Sequence, residues 1–355
     1  MNGKTEKFFI YFCVFAAAAG AVLRFIHING PLAFDEIFTV VTSNPAFGLK
    51  HIIKEFLIPD VHPPLFNIIM YFWQFFVRYS GEWALRIPAL IFSFGALAAG
   101  WFFYPANRDK TEKYIFTVFM SASWITVSLS AHARSYSLVL FLSVLLTFLT
   151  INMAEKLVKE EKIPAKYFAA YFILTLLASY THYVGAAAAG AQTLVLLGYA
   201  FYKKRYFWTT AALYFLVLVL MFPWVWAQAA ANADNLNGQW WNTLSGGWAV
   251  SLSGVLEAFT TNYYAGLLIW AGVIFSLVYI GKKDKKALSD VFILFPVLTV
   301  IISTLILWAA MPKINFFLDR LFTPLLPPGF LIFAFFMTYA AKNGIYFYMS
   351  ILRVL

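Results

Sequence analysis

Charge is scarce in this chain. Asp, Glu, Lys and Arg together make up 12% of its 355 residues, about half the ~25% of an ordinary soluble domain. With 62% of the residues hydrophobic and 20% aromatic, a water-soluble fold could not hide the apolar surface. Cysteine is nearly absent. Cys13 stands alone inside an apolar run, so no intramolecular disulfide staples the external loops. Also missing are a zinc-type His or Cys cluster, a glycine-rich phosphate loop after a strand, and a Gly-x-Ser-x-Gly elbow. Cofactor and metal are therefore unassigned. Asp35, Glu36 and a histidine leave a divalent cation open, but His62 is too distant in sequence to define a site with them.

What the chain has instead is apolar blocks, near 8–28, 85–104, 114–132, 137–154, 167–184, 186–202, 207–227, 264–281, 289–310 and 321–340. A bilayer core about 30 Å thick takes about 20 such residues as helix. Backbone amides in lipid must pair within their own segment, so the blocks read as spanning helices. They lack the dyad alternation of a barrel strand. The first block, with Lys4 and Lys7 before it and Ala16 to Ala19 within it, has the look of a signal peptide. Its run to Ile28 is too long for one and reads as an uncleaved span. The segment 345–355 is too short to cross and reads as an incomplete last span. No repeat and no separate soluble domain is visible.

The formal charge of +10 resides in short loops between blocks, which reads as positive-inside topology and not as nucleic-acid binding. One ambiguous block, 65–78, decides the arrangement. If it does not cross, the loops Arg108–Lys113, Lys156–Lys166, Lys203–Arg205, Lys282–Lys286 and Lys342 all join Lys4 and Lys7 inside; if it crosses, all of them fall outside. The first choice obeys the rule throughout, so 65–78 is expected to lie at the interface, where its aromatic residues suit. A long first external loop, 29–84, then holds two surface helices, around Ile37–Ser43 and 65–78. A second external loop covers 229–262, with Asn237-Gly238-Gln239-Trp240-Trp241.

This topology gathers unusual polar residues on the outer face: Asp35 and Glu36; Asp60, His62, Pro63 and Pro64; Arg86; His132, Arg134 and Tyr136; Tyr180, His182 and Tyr183; Lys313, Asp319 and Arg320. His27 and His51 lie there too. Each has a bland reading. Asp35 and Glu36 suit the first turn of a surface helix; the alternative is a carboxylate held at the membrane as a general base. His62 before two prolines is either a rigid turn or a group presented to a phosphate. Arg134 and Arg320 either snorkel or clamp phosphate, with Asp319 able to neutralise Arg320. His182 is a buried, hydrogen-bonded residue or part of a site. Arg24, inside the first span, either snorkels outward or pairs with an acid in the bundle.

Read in order, Asp35-Glu36 after the first span, His62-Pro63-Pro64-Leu65, Leu85-Arg86-Ile87-Pro88-Ala89-Leu90, Ala133-Arg134-Ser135-Tyr136-Ser137-Leu138, Thr181-His182-Tyr183, and Asp319-Arg320-Leu321 with Pro324 and Pro327-Pro328 resemble the GT-C class of membrane glycosyltransferases. The nearest likeness is the branch of protein O-mannosyltransferases and the lipid A aminoarabinose transferase. It covers about residues 1–340. The resemblance implies an all-α bundle of about ten transmembrane helices with juxtamembrane helices in the first external loop, in the plasma (inner) membrane. It implies a dolichyl- or undecaprenyl-phosphate sugar donor bound at the extracytoplasmic face, and inverting transfer to a lipid, glycan or protein acceptor. Asp35 becomes the base and Glu36 its catalytic neighbour. His62, Arg134, Tyr136, His182 and Arg320 fall around the donor phosphate, with no metal assigned. Tyr136 stands where some members carry an aspartate. The large soluble C-terminal domain of some relatives is missing, which leaves acceptor recognition to loops. Two other readings stay open: a transporter or lipid flippase, and a non-catalytic subunit of an envelope-assembly machine.

Overall fold

The structure, a computed structural model, describes residues 3–26, 28–77, 80–232, 290–314 and 319–342, with positions 274, 278 and 282 besides. Among these every regular element is helical. In chain order they are α1 (Gly3–Leu23), α2 (Phe34–Thr42), α3 (Leu49–His51), α4 (Leu65–Val77), α5 (Glu82–Phe102), α6 (Lys110–Ala122) and α7 (Trp124–Ser130). Then follow α8 (Tyr136–Val158), α9 (Ala165–Thr181), α10 (Tyr183–Tyr202), α11 (Phe207–Ala231), α12 (Val291–Ile314) and α13 (Leu326–Lys342). Five are long and apolar enough to cross a membrane: α5, α8, α10, α11, and α13 with the 3₁₀ turn before it. Shorter apolar stretches run over Phe9–Leu23, Leu65–Val77 and Val291–Leu307. Apart from the isolated positions, the block 264–281 lies outside the described residues. So do loop residues Asn237 to Trp241, the segment 345–355, His27, and the side chains of Asp319 and Lys313.

The centre of the bundle is α8 and α13, buried on nearly every side, with α10 and α12 packed against them. Helices this apolar gain little from excluding water from one another in lipid, so packing and polar pairs matter more. Two such pairs cross the middle. The Gln192 amide lies between Thr147 and Thr150 of α8, at 3.2 and 2.9 Å, and the Tyr171 hydroxyl meets Thr193 at 2.6 Å. Small residues bring α1 close to α6. A Cβ added at Gly20 would lie 2.4 Å from the Ser121 carbonyl oxygen, and the Ser121 hydroxyl donates to the Ala17 carbonyl at 2.5 Å.

Two expectations change here. The block 114–132 is not one helix. Ser123 adopts an extended backbone (φ −65°, ψ 139°) and separates α6 from α7. The break leaves carbonyls at the end of α6 without helical donors, and Arg24 supplies them. This side chain is fully buried and donates to the carbonyls of Met120 (2.9 Å), Ser121 and Gly20 (2.8 Å), and to the Ser93 hydroxyl (3.0 Å). Arg24 therefore does not snorkel outward and pairs with no acid among the described residues; it caps a broken helix.

Between α1 and α5 the chain forms only the short helices α2, α3 and α4 and the turns that join them. At about 1.5 Å per residue the 13 residues of α4 extend about 20 Å, short of a 30 Å core. Its inward side chains grip its neighbours: Asn67 donates to the Thr42 hydroxyl (3.1 Å), Gln74 to the Val40 carbonyl (3.1 Å) and Trp73 to the Ala84 carbonyl (2.7 Å). Phe72, Phe75 and Phe76 face out.

Candidate active site

The first turn of α2 carries Asp35 and Glu36, where negative charge suits the positive end of a helix. The two neighbours meet different surroundings. Glu36 is 1% exposed. One of its oxygens accepts from Arg86 Nε (2.8 Å) and the Ala133 amide (2.8 Å), the other from Arg86 Nη2 (2.7 Å) and the Ala33 amide (2.8 Å). Arg86 turns its remaining protons to the carbonyls of Ile28 (2.9 Å), Gly30 (2.5 Å) and Pro31 (2.9 Å). All five guanidinium donors and four carboxylate acceptor positions are thereby occupied. Burial alone would raise the Glu36 carboxyl, but the hydrogen bonds from Arg86, Ala133 and Ala33 and the charge of Arg86 outweigh it and hold it below the ordinary value. The catalytic role expected for Glu36 does not fit this geometry. It is an anchor that ties α2 to the preceding loop, to α5 and to the turn before α8.

Asp35 points elsewhere. Its carboxylate meets Arg320 Nη1 at 2.8 Å, with both side chains about one third exposed (32% and 31%). Arg134, in the turn between α7 and α8, is buried. Its Nη1 donates to the Thr39 hydroxyl (2.8 Å) and reaches the Asp35 carbonyl at 3.4 Å. Its Nη2 lies 3.4 Å from His62 Nε2, and His62 Nδ1 lies 3.4 Å from Asp60. An arginine can only donate, so His62 Nε2 accepts and Nδ1 carries the proton towards Asp60. The His62 ring stands edge-on to His182, centroids 5.1 Å apart. Tyr136 lies 5.8 Å from His182, and the Arg320 guanidinium sits 5.7 Å over the Tyr136 ring.

His182 joins α9 to α10 and caps the latter: its Nδ1 accepts from the Val184 amide at 3.3 Å. The ring proton is then on Nε2. Burial above all, and then the charges of Arg134 and Arg320, hold its pKa well below the ordinary histidine value, so the ring is neutral. Both His182 Nε2 and Arg134 Nε are buried with no hydrogen-bond partner among the described residues. Buried donors are nearly always satisfied, and these two belong to one cluster.

Asp35, His62, Arg134, Tyr136, His182 and Arg320 are thus brought together from five segments of the chain. His132 is half-buried in the turn beside them, while His51 is exposed and packs against Phe47 and Phe56. Three further residues hold the site that the sequence did not single out for it: Arg86, which had a motif but no role, Thr39 and Gln228. Among the described residues no three metal-ligating side chains gather. The arrangement offers guanidinium, imidazole and phenol groups around one part-exposed carboxylate, a set chemically able to bind an anion beside a proton acceptor. No protein-family model, curated protein or solved structure matches this chain.

Proposed function

We propose that this chain is an inverting glycosyltransferase of the GT-C kind, moving a sugar from a polyprenyl-phosphate donor to a lipid, glycan or protein acceptor. The observation that carries the reading is the meeting of Asp35 with Arg134, Arg320 and the neutral His182 donor in one cluster. In the reaction Asp35 takes the proton of the acceptor hydroxyl as its oxygen attacks the anomeric carbon. The bond from that carbon to the phosphate oxygen breaks on the opposite side, and the electron pair leaves with the phosphate. Negative charge grows there in the transition state, where donors fixed in a water-poor site are most effective. Arg134 and Arg320 supply charge, and His182 Nε2 and the Tyr136 hydroxyl supply neutral donors. The Asp35–Arg320 pair is part-exposed, and such pairs contribute little. An arriving phosphate can draw Arg320 away and leave Asp35 free to act.

The reading includes about ten spans in the plasma membrane, with the site on the extracytoplasmic face. The layout of the helices supports it. α5, α8 and α10 start at the site and run towards the basic loops at Arg108, Lys159 and Lys203, and the chain from Arg320 through α13 runs to Lys342. Basic loops favour the cytoplasmic side.

The test is mass spectrometry of membrane lipids from cells carrying the wild type, Asp35→Asn or no gene. Asp35→Asn, at normal protein level, is expected to accumulate the same lipid-phosphate sugar as the deletion. Wild-type lipid profiles in the Asp35→Asn strain would end the catalytic assignment. The purified variant is expected to bind farnesyl phosphate at least as tightly as wild type, because Arg320 loses its competing partner.

A further inference from the structure

Of the five helices long and apolar enough to cross a membrane, α11 is the least buried. Thr210, Val217, Met221 and Gln228 are its fully buried residues, a stripe at helical spacing, with Phe207, Leu213, Tyr214 and Trp224 half-buried beside it and Trp208, Phe215, Phe222 and Trp226 facing out. The stripe ends at the site. Gln228 is 5% exposed, and its side chain addresses backbone. Its Nε2 donates to the carbonyls of Leu57 (3.1 Å), Asp60 (2.7 Å) and His62 (2.9 Å), and its Oε1 accepts from the Tyr183 hydroxyl. An amide carries two protons, so three carbonyls share them and none is left over.

The segment from Leu57 to His62 needs this. It follows a π turn over Ile52–Leu57 and contains Pro59, with Pro63 and Pro64 just after. Proline has no N–H to offer and disfavours helix before it. The carbonyls of the turn therefore depend on an outside donor. The other end of the same amide holds Tyr183, the residue after His182. One side chain thus holds the backbone of Leu57–His62 and the Tyr183 hydroxyl beside His182, and the His62 and His182 rings meet at 5.1 Å.

We infer that Gln228 is a positioning residue: through the backbone of Leu57–His62 it fixes His62 against Arg134 and His182, and so sets the affinity of the site for a phosphate carried on a prenyl chain. The inference rests on the anion-site reading above. It is tested with farnesyl phosphate, and farnesol as the uncharged control, titrated onto the purified full chain in detergent. Gln228→Met keeps the length of the side chain and its neutrality but removes both donors. It is expected to weaken farnesyl phosphate binding about tenfold, as loss of one or two hydrogen bonds implies, and to leave farnesol binding unchanged. In a His62→Ala background the same substitution is expected to change binding by less than about twofold, since it acts through His62. A general loosening of the fold would instead be carried equally into both backgrounds.

Tyr183→Phe removes one contact from the far end of the clamp and is expected to weaken binding in the same direction by about threefold. It carries the cycle if Gln228→Met does not fold. Wild-type affinity in the substituted protein, or an equal loss with and without His62, would overturn the inference and leave the anion site standing. A wild-type chain that binds farnesol as well as farnesyl phosphate would remove the anion site, and this inference with it.

Discussion

The two ends of the bundle keep their cations in different company. At the end away from the site, Arg108 lies between Asp290 and Glu112 (3.2 Å) and over the Phe292 ring at 4.4 Å. Lys342 meets Asp109, Lys156 meets Glu161 at 2.9 Å, and Lys203 meets Glu160 at 3.1 Å. At the site end, among the described residues, only Arg86 is matched so fully, by Glu36. Arg134 is buried against a hydroxyl, a carbonyl and an imidazole, with no carboxylate side chain in ion-pair range among the described residues. Arg320 shares Asp35 in a part-exposed pair. A buried cation without a countercharge is costly. Stability alone would not keep Arg134 near Arg320, whereas binding of an anion would. Among the described residues the far end pairs its cations with carboxylates, whereas the site end leaves Arg134 to neutral partners.

The largest effect expected from this contrast is at the anchor. Arg86→Met would leave Glu36 buried without its partner and three carbonyls without donors, at a cost of about 3–5 kcal/mol. Thermal and denaturant unfolding in detergent measures it. A loss below about 1 kcal/mol would mean that the pair does not tie the site end together. The next effect separates the ends directly. Arg108→Met strands Glu112 and Asp290, so it should lower stability by about 2–3 kcal/mol. Farnesyl phosphate binding should stay within about twofold of wild type. Arg134→Met should do the reverse, leaving stability within about 1 kcal/mol and weakening farnesyl phosphate by about thirtyfold, the size of a lost hydrogen bond to a charged group. Equal losses of stability with binding spared in both variants would erase the distinction.

Much of this was legible in the sequence, for physical reasons. Long apolar runs bounded by charge can only become helices, and most blocks did so within a few residues. Among the described residues two runs fall short of a helix long and apolar enough to cross for identifiable reasons: Ser123 divides α6 from α7, and α9 has 17 residues. Hydropathy carries no trace of the Ser123 break; the Ser123 and Thr126 hydroxyls that meet there at 2.9 Å are ordinary polar residues in a span. Asp35, His62, Arg134, Tyr136, His182 and Arg320 could be picked out because ionisable and imidazole groups at the ends of apolar runs are few. Their partners were harder. Neighbouring acids on a helix point about 100° apart, and nothing local says that Glu36 faces Arg86, 50 positions on, while Asp35 faces Arg320. Arg24 and Gln228 were missed or misread because they bind backbone carbonyls, which every residue has.

The smallest effect expected is a difference in how the two ends answer acid. His182 is held neutral by burial and by the cations around it. The unfolded chain takes up a proton near the ordinary histidine value of about 6.5, and the folded chain does not, so the unfolded state binds more protons below that value. Stability from this residue is complete at neutral pH and is lost as pH falls from about 6.5, by up to about 1.4 kcal/mol per pH unit. At the far end Asp109 is desolvated, which would raise it, but Lys342 and Thr111 lower it below the ordinary carboxylate value. Its contribution is present above about 3.9 and goes only as pH falls below that. Between pH 7 and 5 the site end should therefore soften first. His182→Asn keeps an acceptor for the Val184 amide, since asparagine caps helices well, and removes the titrating ring. Its unfolding midpoint should fall less steeply over that range than wild type. His132, whose pKa is lowered by burial and the nearby arginines despite Glu36 and Asp35, should supply the slope that remains. Parallel curves for the two proteins would mean that His182 takes its proton in the folded state, and then the site would meet its anion with one cation more than the geometry implies.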